Sequence, residues 1–420
     1  MSTTEQGGSP VSPRPDLAGQ AEIQRHTVRV LMGAQILGAV SISLGVTVGA
    51  VAAVDISGSD AVGGAVLTAT AGGAAIGSAL LARIADSGGR RGSLGSGYLL
   101  AAVGALVAAV GVELGFWPVL LVGMLGFGIG SATGLAARFA AADLAEPDRR
   151  GRAVGTVLWA GTLGAVAGPN LAGPARDLTD RTAVSGNAGV FLTGAVLYAA
   201  AAVVVWSRLR PDPLVRAREL IGAQAGRSSG TGWGIVWAIP AARFALVGVA
   251  LLHLSMVAVM SMSPVHLDHG GADLQVIGLV ISAHVAGMYL FSPVFGVLVD
   301  RWGSTRVLSA GAVISLAGAL VCASADQHEP GVLGAGLVLI GLGWSAGLVA
   351  ASALLVAAVA PEDRARAQGS ADVSMNLAGA IGGLLAGGLM AAGSFAVLGV
   401  LVAAVLAPYL LASLRPGRAH

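Results

Sequence analysis

The 420-residue sequence has no lysine, a single cysteine (Cys322), and charged side chains at only 11% of its positions. Each shortage excludes something. One thiol forms neither an intrachain disulfide, nor a cysteine metal cluster, nor a CxxC redox pair. A soluble domain carries about 25% charged residues, so this chain has too little charge to face water over its whole surface. Soluble folds, disordered chains and nucleic-acid binders are excluded together. The pI of 9.1 does not point to a nucleic-acid partner, because the formal net charge is only +2. All 24 Lys/Arg positions are arginine, which with the Ala/Gly/Val bias suggests a GC-rich bacterial genome.

What the chain has instead is apolar surface: 55% hydrophobic residues and a mean hydropathy of +0.80. A Gly/Ser/Pro-rich stretch to about residue 27 reads as a disordered cytoplasmic tail. The apolar run after it is too long for the core of a signal peptide. Twelve such runs follow, near 28–54, 62–84, 94–112, 118–142, 153–175, 188–206, 242–265, 276–298, 307–325, 331–358, 369–392 and 395–414. At about 20 residues, each spans roughly 30 Å of hydrocarbon as a helix. The 64 glycines fit this reading, since packed membrane helices use small residues to bring backbones together.

Orientation follows from arginine, because short cytoplasmic loops keep positive charge. With both termini inside, the arginines fall on that side except Arg176 and Arg181 outside and Arg138 within a span. Outer loops carry Asp55, Asp60, Glu113, Asp268, Asp273, Asp326 and Glu329. The expected location is a bacterial inner membrane, multi-pass.

The chain also repeats itself. Arg29 matches Arg243, Asp86 matches Asp300, Gly89 matches Gly303, and PDRRGRAVG from Pro147 matches PEDRARAQG from Pro361, all at one offset of 214 residues. The expected fold is therefore all-α and membrane-integral: twelve transmembrane helices in two six-helix bundles related by pseudo-two-fold symmetry. The expected divisions are a tail (1–27), a first bundle (28–206), a central cytoplasmic loop (207–241), a second bundle (242–414) and a short tail (415–420). The central loop holds LVRAREL, a candidate surface helix, and Trp233 and Trp237, a candidate interfacial anchor.

The loops after the second and eighth spans read ARIADSGGRR and GVLVDRWGSTR. An Asp followed three residues later by Gly, with flanking arginines, resembles the hallmark loop of the major facilitator superfamily. The second copy has Gly296, Asp300, Arg301, Gly303 and Arg306; the first has Asp86, Gly89, Arg90 and Arg91, with Ala82 and Ser87 departing from the pattern. The resemblance implies a gate in which Asp86 faces the start of the eleventh span near Gly369 and Arg90 pairs with Asp143. A carboxylate at such a place can cap a helix of the other half. The plainer reading is a turn that obeys the charge rule; it explains the arginines but not Asp and Gly in both copies. In the fifth span, Gly155, Gly164, Gly168, Pro169, Ala172 and Gly173 resemble the motif of the drug–proton antiporters of that superfamily, with only Ala172 in place of Gly. The alternative is generic small-residue packing. The arginine those antiporters carry early in the fourth span is absent here, near Val122.

An ionisable group inside the membrane costs about 2.5–3.5 kcal/mol on insertion scales and calls for a reason. His253, His284, Asp372 and Arg138 have no counterpart in the other half and are the candidates for coupling, with Asn376, Gln35, Asn170 and Tyr289 as further polar groups for cargo. His253 is either a proton carrier or a neutral histidine bonded to a neighbouring helix, and the same choice applies to His284. Arg138 and Asp372 are either part of proton coupling or a static gate reaching toward water. His266 and His269 have metal-like spacing but sit at a solvated helix end, so neither metal nor cofactor is expected.

These readings favour a monomeric secondary transporter moving small amphipathic or drug-like molecules outward against protons, with lipid as its other partner. An importer or facilitator of a polar metabolite is the alternative. A polytopic membrane enzyme is the remote one: no GxSxG or HExxH is present, and an enzyme gives no reason for a duplicated scaffold.

Overall fold

A computed structural model describes residues 17–179, 184–221, 230–392 and 394–413. Among them the regular structure is helical: α1 (Leu17–Ser57), α2 (Asp60–Glu113), α3 (Trp117–Ala142), α4 (Arg150–Thr179), α5 (Gly186–Arg208), α6 (Pro213–Ile221), α7 (Gly232–Ala238), α8 (Pro240–His269), α9 (Leu274–Tyr289), α10 (Ser292–Trp302), α11 (Ser304–Ser324), α12 (Pro330–Ala358), α13 (Arg364–Ala392) and α14 (Phe395–Ser413). Ten helical stretches among the described residues are long and apolar enough to cross a membrane. One of them, Val62–Glu113, has 52 residues and makes two crossings. It turns at Gly89, whose φ of 77° only glycine adopts cheaply. The opposite happens at Leu290–Phe291, where Pro293 removes a backbone donor and interrupts what is otherwise one crossing, α9 plus α10. With α4 packed against α1 inside the first bundle, the crossings come to twelve.

The two bundles are α1–α5 and α8–α14. In each, the third and fourth crossings approach most closely where glycine removes the side chain. A Cβ on Gly104 of α2 would run into the backbone of Gly126 and Phe127 of α3. A Cβ on Gly318 of α11 would lie 2.7 Å from the carbonyl oxygen of Gly336 and 2.8 Å from the nitrogen of Ile340 on α12. Gly104 and Gly318 occupy equivalent positions of the repeat, as do Gly97 and Gly311. Aromatic rings fill what remains. Phe127 meets Tyr198 edge-on at 5.3 Å in the first bundle, and Phe244 stacks on Tyr409 at 4.8 Å in the second.

One expectation needs correction. Residues 17–27, assigned above to a disordered tail, form the first turns of α1. The stretch has good helix formers, and its polar groups are docked: Gln24 donates to the Ala141 carbonyl at 2.7 Å and His26 bonds the Arg208 carbonyl at 2.8 Å. The central linker contains a helix at the stretch where a surface helix was expected. It carries α6, which includes LVRAREL, and α7, which includes Trp233 and Trp237. Asp212, just before α6, accepts from the backbone N–H of Arg91 at 2.7 Å and of Leu214 at 3.0 Å, capping two helices at once. A Cβ on Gly89 would strike that carboxylate, a second reason for glycine there. Residues 1–16, 222–229 and 414–420 lie outside the described residues.

Overpacking a close helix contact costs about 1–3 kcal/mol. Gly104→Val is therefore expected to lower the Tm of the detergent-solubilised protein clearly, while Gly33→Ala, which meets nothing within 4 Å, leaves it unchanged. Equal Tm values for the two variants would refute this packing.

Candidate functional site

The backbone N–H groups of a helix's first turn have no acceptor within the helix. At α4 the other bundle supplies one. Asp300, at the end of α10, accepts from the backbone N–H of Gly151 at 2.8 Å and of Arg152 at 3.1 Å, and from Arg152 Nε at 2.9 Å. The negative charge also suits the positive end of the helix dipole. The backbones must nearly touch for this. Gly296 and Gly151 face each other, and a Cβ on either would collide with the other's carbonyl. One turn further in, Ser292 Oγ donates to the Gly155 carbonyl at 2.9 Å.

The repeat-related pair is Arg366 with Asp86, at 3.9 Å and partly buried. It is looser, and the cause is visible. Arg218 of α6 enters the same space, donating to the Asp86 carbonyl at 3.1 Å, to its carboxylate at 3.5 Å, and to the carbonyls of Pro361 and Glu362. Gly369, expected opposite Asp86, packs instead on Ala82 one turn deeper. Arg90 pairs with Asp143 at 2.7 Å and bonds Gln368 of α13. Arg364 of the second bundle reaches the Asp143 carbonyl at 3.2 Å, so Asp143 holds one arginine from each half. Arg91 bonds the Trp206 carbonyl within its own bundle. Arg301 and Arg306, expected at the gate, are exposed and have no hydrogen bond or ion pair across the bundle interface among the described residues; Arg152 and Arg366 make the contacts there. Gly303 forms the turn between α10 and α11 with φ 86°.

The deepest interbundle ion pair among the described residues joins two groups that stand alone in the sequence repeat. Arg138 of α3 donates to Asp372 Oδ1 of α13 at 2.5 Å, with both side chains buried. Its Nε donates to Ser352 Oγ at 2.8 Å, its Nη1 bonds the Leu135 carbonyl, and its guanidinium carbon lies 4.2 Å from the centroid of the Phe139 ring. Ser352 is the repeat counterpart of Arg138, so one residue and its own symmetry mate meet across the bundle interface. Asn376, a turn beyond Asp372, donates to the Asp372 carbonyl at 2.8 Å and reaches Ser78 of the first bundle at 3.4 Å. Together these contacts close the arginine-rich face.

The other candidates separate. His253 is half-buried, and Trp344 Nε1 donates to its Nδ1 at 2.9 Å. Tyr289 packs edge-on against the same indole at 5.7 Å. A nitrogen that accepts carries no proton, so His253 is held as the neutral Nε2–H tautomer. His284 is fully buried between α9 and α12, its Nδ1 2.6 Å from the Leu337 carbonyl. Gln35 lies buried in the first bundle beside Gly134 and Gly161. The fifth-span glycines do different things: Gly155 meets the other bundle, Gly164 and Gly168 admit α1 near Ala39 and Ser43, and Gly173 meets nothing within 4 Å. The side chains of Pro169 and Asn170 lie outside the described residues. Among the described residues no three His, Cys, Asp or Glu side chains gather to hold a metal.

Sequence reasoning passed over Arg152, Arg366, Arg364, Gln368, Ser352 and Trp344. For the first three a signal existed, since the paired PDRRGRAVG and PEDRARAQG segments keep two arginines in register. Trp344 and Gln368 had none.

A family model described as the Major Facilitator Superfamily matches residues 30–272 and 246–420. YdeG of Bacillus subtilis, an uncharacterised transporter of that type, is 35% identical over 372 residues, covering 88% of this chain and 86% of that protein. The riboflavin transporter RfnT of Brucella anthropi is 26% identical over 359 residues, covering 84% and 86%. Among solved structures, the proton:xylose symporter XylE superposes with a TM-score of 0.72 at 16% identity, covering 93% of this chain and 95% of that one. A bacterial homologue of the iron transporter ferroportin in an outward-facing state also gives 0.72, at 17% identity and with 93% and 98% covered. The last two likenesses concern the fold alone. With family matches over both halves and a close relative along most of its length, the chain belongs to the major facilitator superfamily of multi-pass membrane transporters.

Proposed function

We propose that the protein is a proton-coupled exporter of small amphipathic molecules in a bacterial inner membrane. In this reading the arginine-rich face and both termini are cytoplasmic, and a single chain works by rocking its first bundle (28–206) against its second (242–414). The observation that carries the proposal is the buried pair Arg138–Asp372, which ties the bundles together on the closed side. Breaking a buried ion pair by removing one partner costs about 3–5 kcal/mol, because a bare charge is left behind. A proton on Asp372 removes the Coulomb attraction and frees Arg138, so protonation alone loosens that face. A void of about 10 Å³ beside Asp372, lined also by Ser78, Arg90 and Gln368, is near the size of one water and offers a step for the proton. His253 fits the carrier role less well, since a second ring proton would set Nδ1–H against the Trp344 N–H. The antiporter-like glycines of α4 support export, with Gly155 at the moving interface.

A second reading is import of a flat polar molecule. The ring cluster of His253, Trp344 and Tyr289 favours it, and one relative is a riboflavin transporter.

Purified protein in liposomes under an imposed pH gradient, with a cationic amphipathic dye as cargo, separates these readings. Outward dye flux driven by protons is expected; dye flux indifferent to the gradient would refute coupling, and riboflavin uptake in place of dye export would favour the second reading. Asp372→Asn is expected to abolish gradient-driven flux while dye exchange between the two sides persists. Arg138→Met combined with Asp372→Leu should recover most of the thermal stability that Asp372→Leu alone loses, yet stay uncoupled. Coupling retained in either variant would rule out this pair as the proton site.

The closure itself is testable through its two unequal halves. Asp300→Ala leaves two N–H groups without acceptors and should cost about 1–3 kcal/mol. Asp86→Ala loses long, partly buried pairs at 3.5 and 3.9 Å, each worth about 1 kcal/mol or less. A larger fall in Tm is therefore expected for Asp300→Ala, with transport slowed in both; the reverse order would contradict the capping geometry.

A further inference from the structure

On the arginine-rich face, the first turns of α1 and the start of α4 leave a groove of about 540 Å³ between them. Four arginines line it: Arg25 and Arg29 from α1, and Arg149 and Arg152 from the α4 side. Two of these are already engaged. Arg149 pairs with Glu146 at 3.2 Å, and Arg152 is held by Asp300. Arg25 and Arg29 have no carboxylate partner among the described residues; Arg25 bonds only the Ala21 carbonyl of its own helix, and both side chains are exposed. The repeat counterpart of Arg29 shows the contrast. Arg243 lies 5.8 Å from the Trp237 ring centroid and donates to the Trp237 carbonyl, so its charge is engaged by its own chain.

The groove is also apolar on one side, where Val28 and Ala153 line it. Arg29 stands at the edge of the hydrophobic run of α1, and Arg25 one turn beyond it, at the depth of lipid headgroups. Two guanidinium groups without a carboxylate partner among the described residues, above an apolar wall, match a phosphate that carries acyl chains. Guanidinium forks bind phosphate oxygens in pairs and stay charged at every accessible pH. A soluble phosphate would meet the arginines but leave the apolar wall uncovered, and a zwitterionic headgroup would bring its own cation into a site that already has an excess of them.

We propose that this groove seats the headgroup of an anionic phospholipid, its phosphate between Arg25 and Arg29 and an acyl chain along Val28 and Ala153. The site is independent of the proton-coupling reading, because neither arginine touches the interbundle contacts.

The test uses the full-length protein in detergent micelles, titrated with dioctanoyl phosphatidylglycerol and read by native mass spectrometry. One tightly held lipid per chain is expected. A basic residue beside an anionic lipid contributes about fivefold in affinity, so the double variant Arg25→Gln/Arg29→Gln should bind about 25-fold more weakly. The single variant Arg29→Gln should show about fivefold weakening, and it reads the site if the double variant melts early. Dioctanoyl phosphatidylcholine should bind no better to the native protein than phosphatidylglycerol does to the double variant. Unchanged phosphatidylglycerol affinity in the variants, or equal affinity for the two lipids, would overturn the proposal. Displacement of the lipid by millimolar inorganic phosphate would reassign the groove to a soluble ligand and overturn it too.

Discussion

A charge inside hydrocarbon has to be matched by the protein itself, because acyl chains offer it no partner. Arg138 lies almost wholly buried, and its matching carboxylate comes from the opposite bundle. That one fact makes charge neutralisation and bundle closure the same event. As long as Asp372 is ionised, separating the halves on the arginine-rich side strands a guanidinium in a low-dielectric space. The surrounding contacts are arranged around this constraint: Ser352 and Phe139 complete the coordination of the arginine, and Asn376 extends the interface one turn deeper.

Nearer the surface the same logic is carried by backbone groups instead of side-chain charge. The uncapped N–H groups at the start of α4 are satisfied by Asp300, so a helix of one bundle is finished by a residue of the other. Closeness is the condition for that, and glycine supplies it at Gly151 and Gly296. These contacts are short and directional, and all of them need the two bundles in register.

The duplication explains the layout but not its asymmetry. Asp300 with Arg152 and Asp86 with Arg366 are the same pair seen from the two halves, yet one is tight and the other loose. The linker accounts for the difference. Its helix α6 follows only the first bundle, and Arg218 spans from Asp86 to the carbonyls of Pro361 and Glu362. A connecting segment thereby becomes part of the closure.

The twelve spans, the repeat and the sided arginines are all properties of the chain read in one dimension. Hydrophobic length and loop charge depend on residues near one another in sequence, and the 214-residue offset needs only comparison of the chain with itself. For that reason the membrane fold was legible, and the loops after the second and eighth spans stood out within it. Boundaries were less so: the helical turns at 17–27 depend on Gln24 and His26 finding carbonyls on α3 and α5. What tertiary structure alone decided is which solitary charges meet. Arg138 and Asp372 each stood out as an ionisable group in an apolar span, but 234 positions separate them and no symmetry relates them. Only the seating of α13 against the first bundle, along α2, brings the guanidinium on α3 to the carboxylate, and distances across a bundle interface are not encoded in any local pattern.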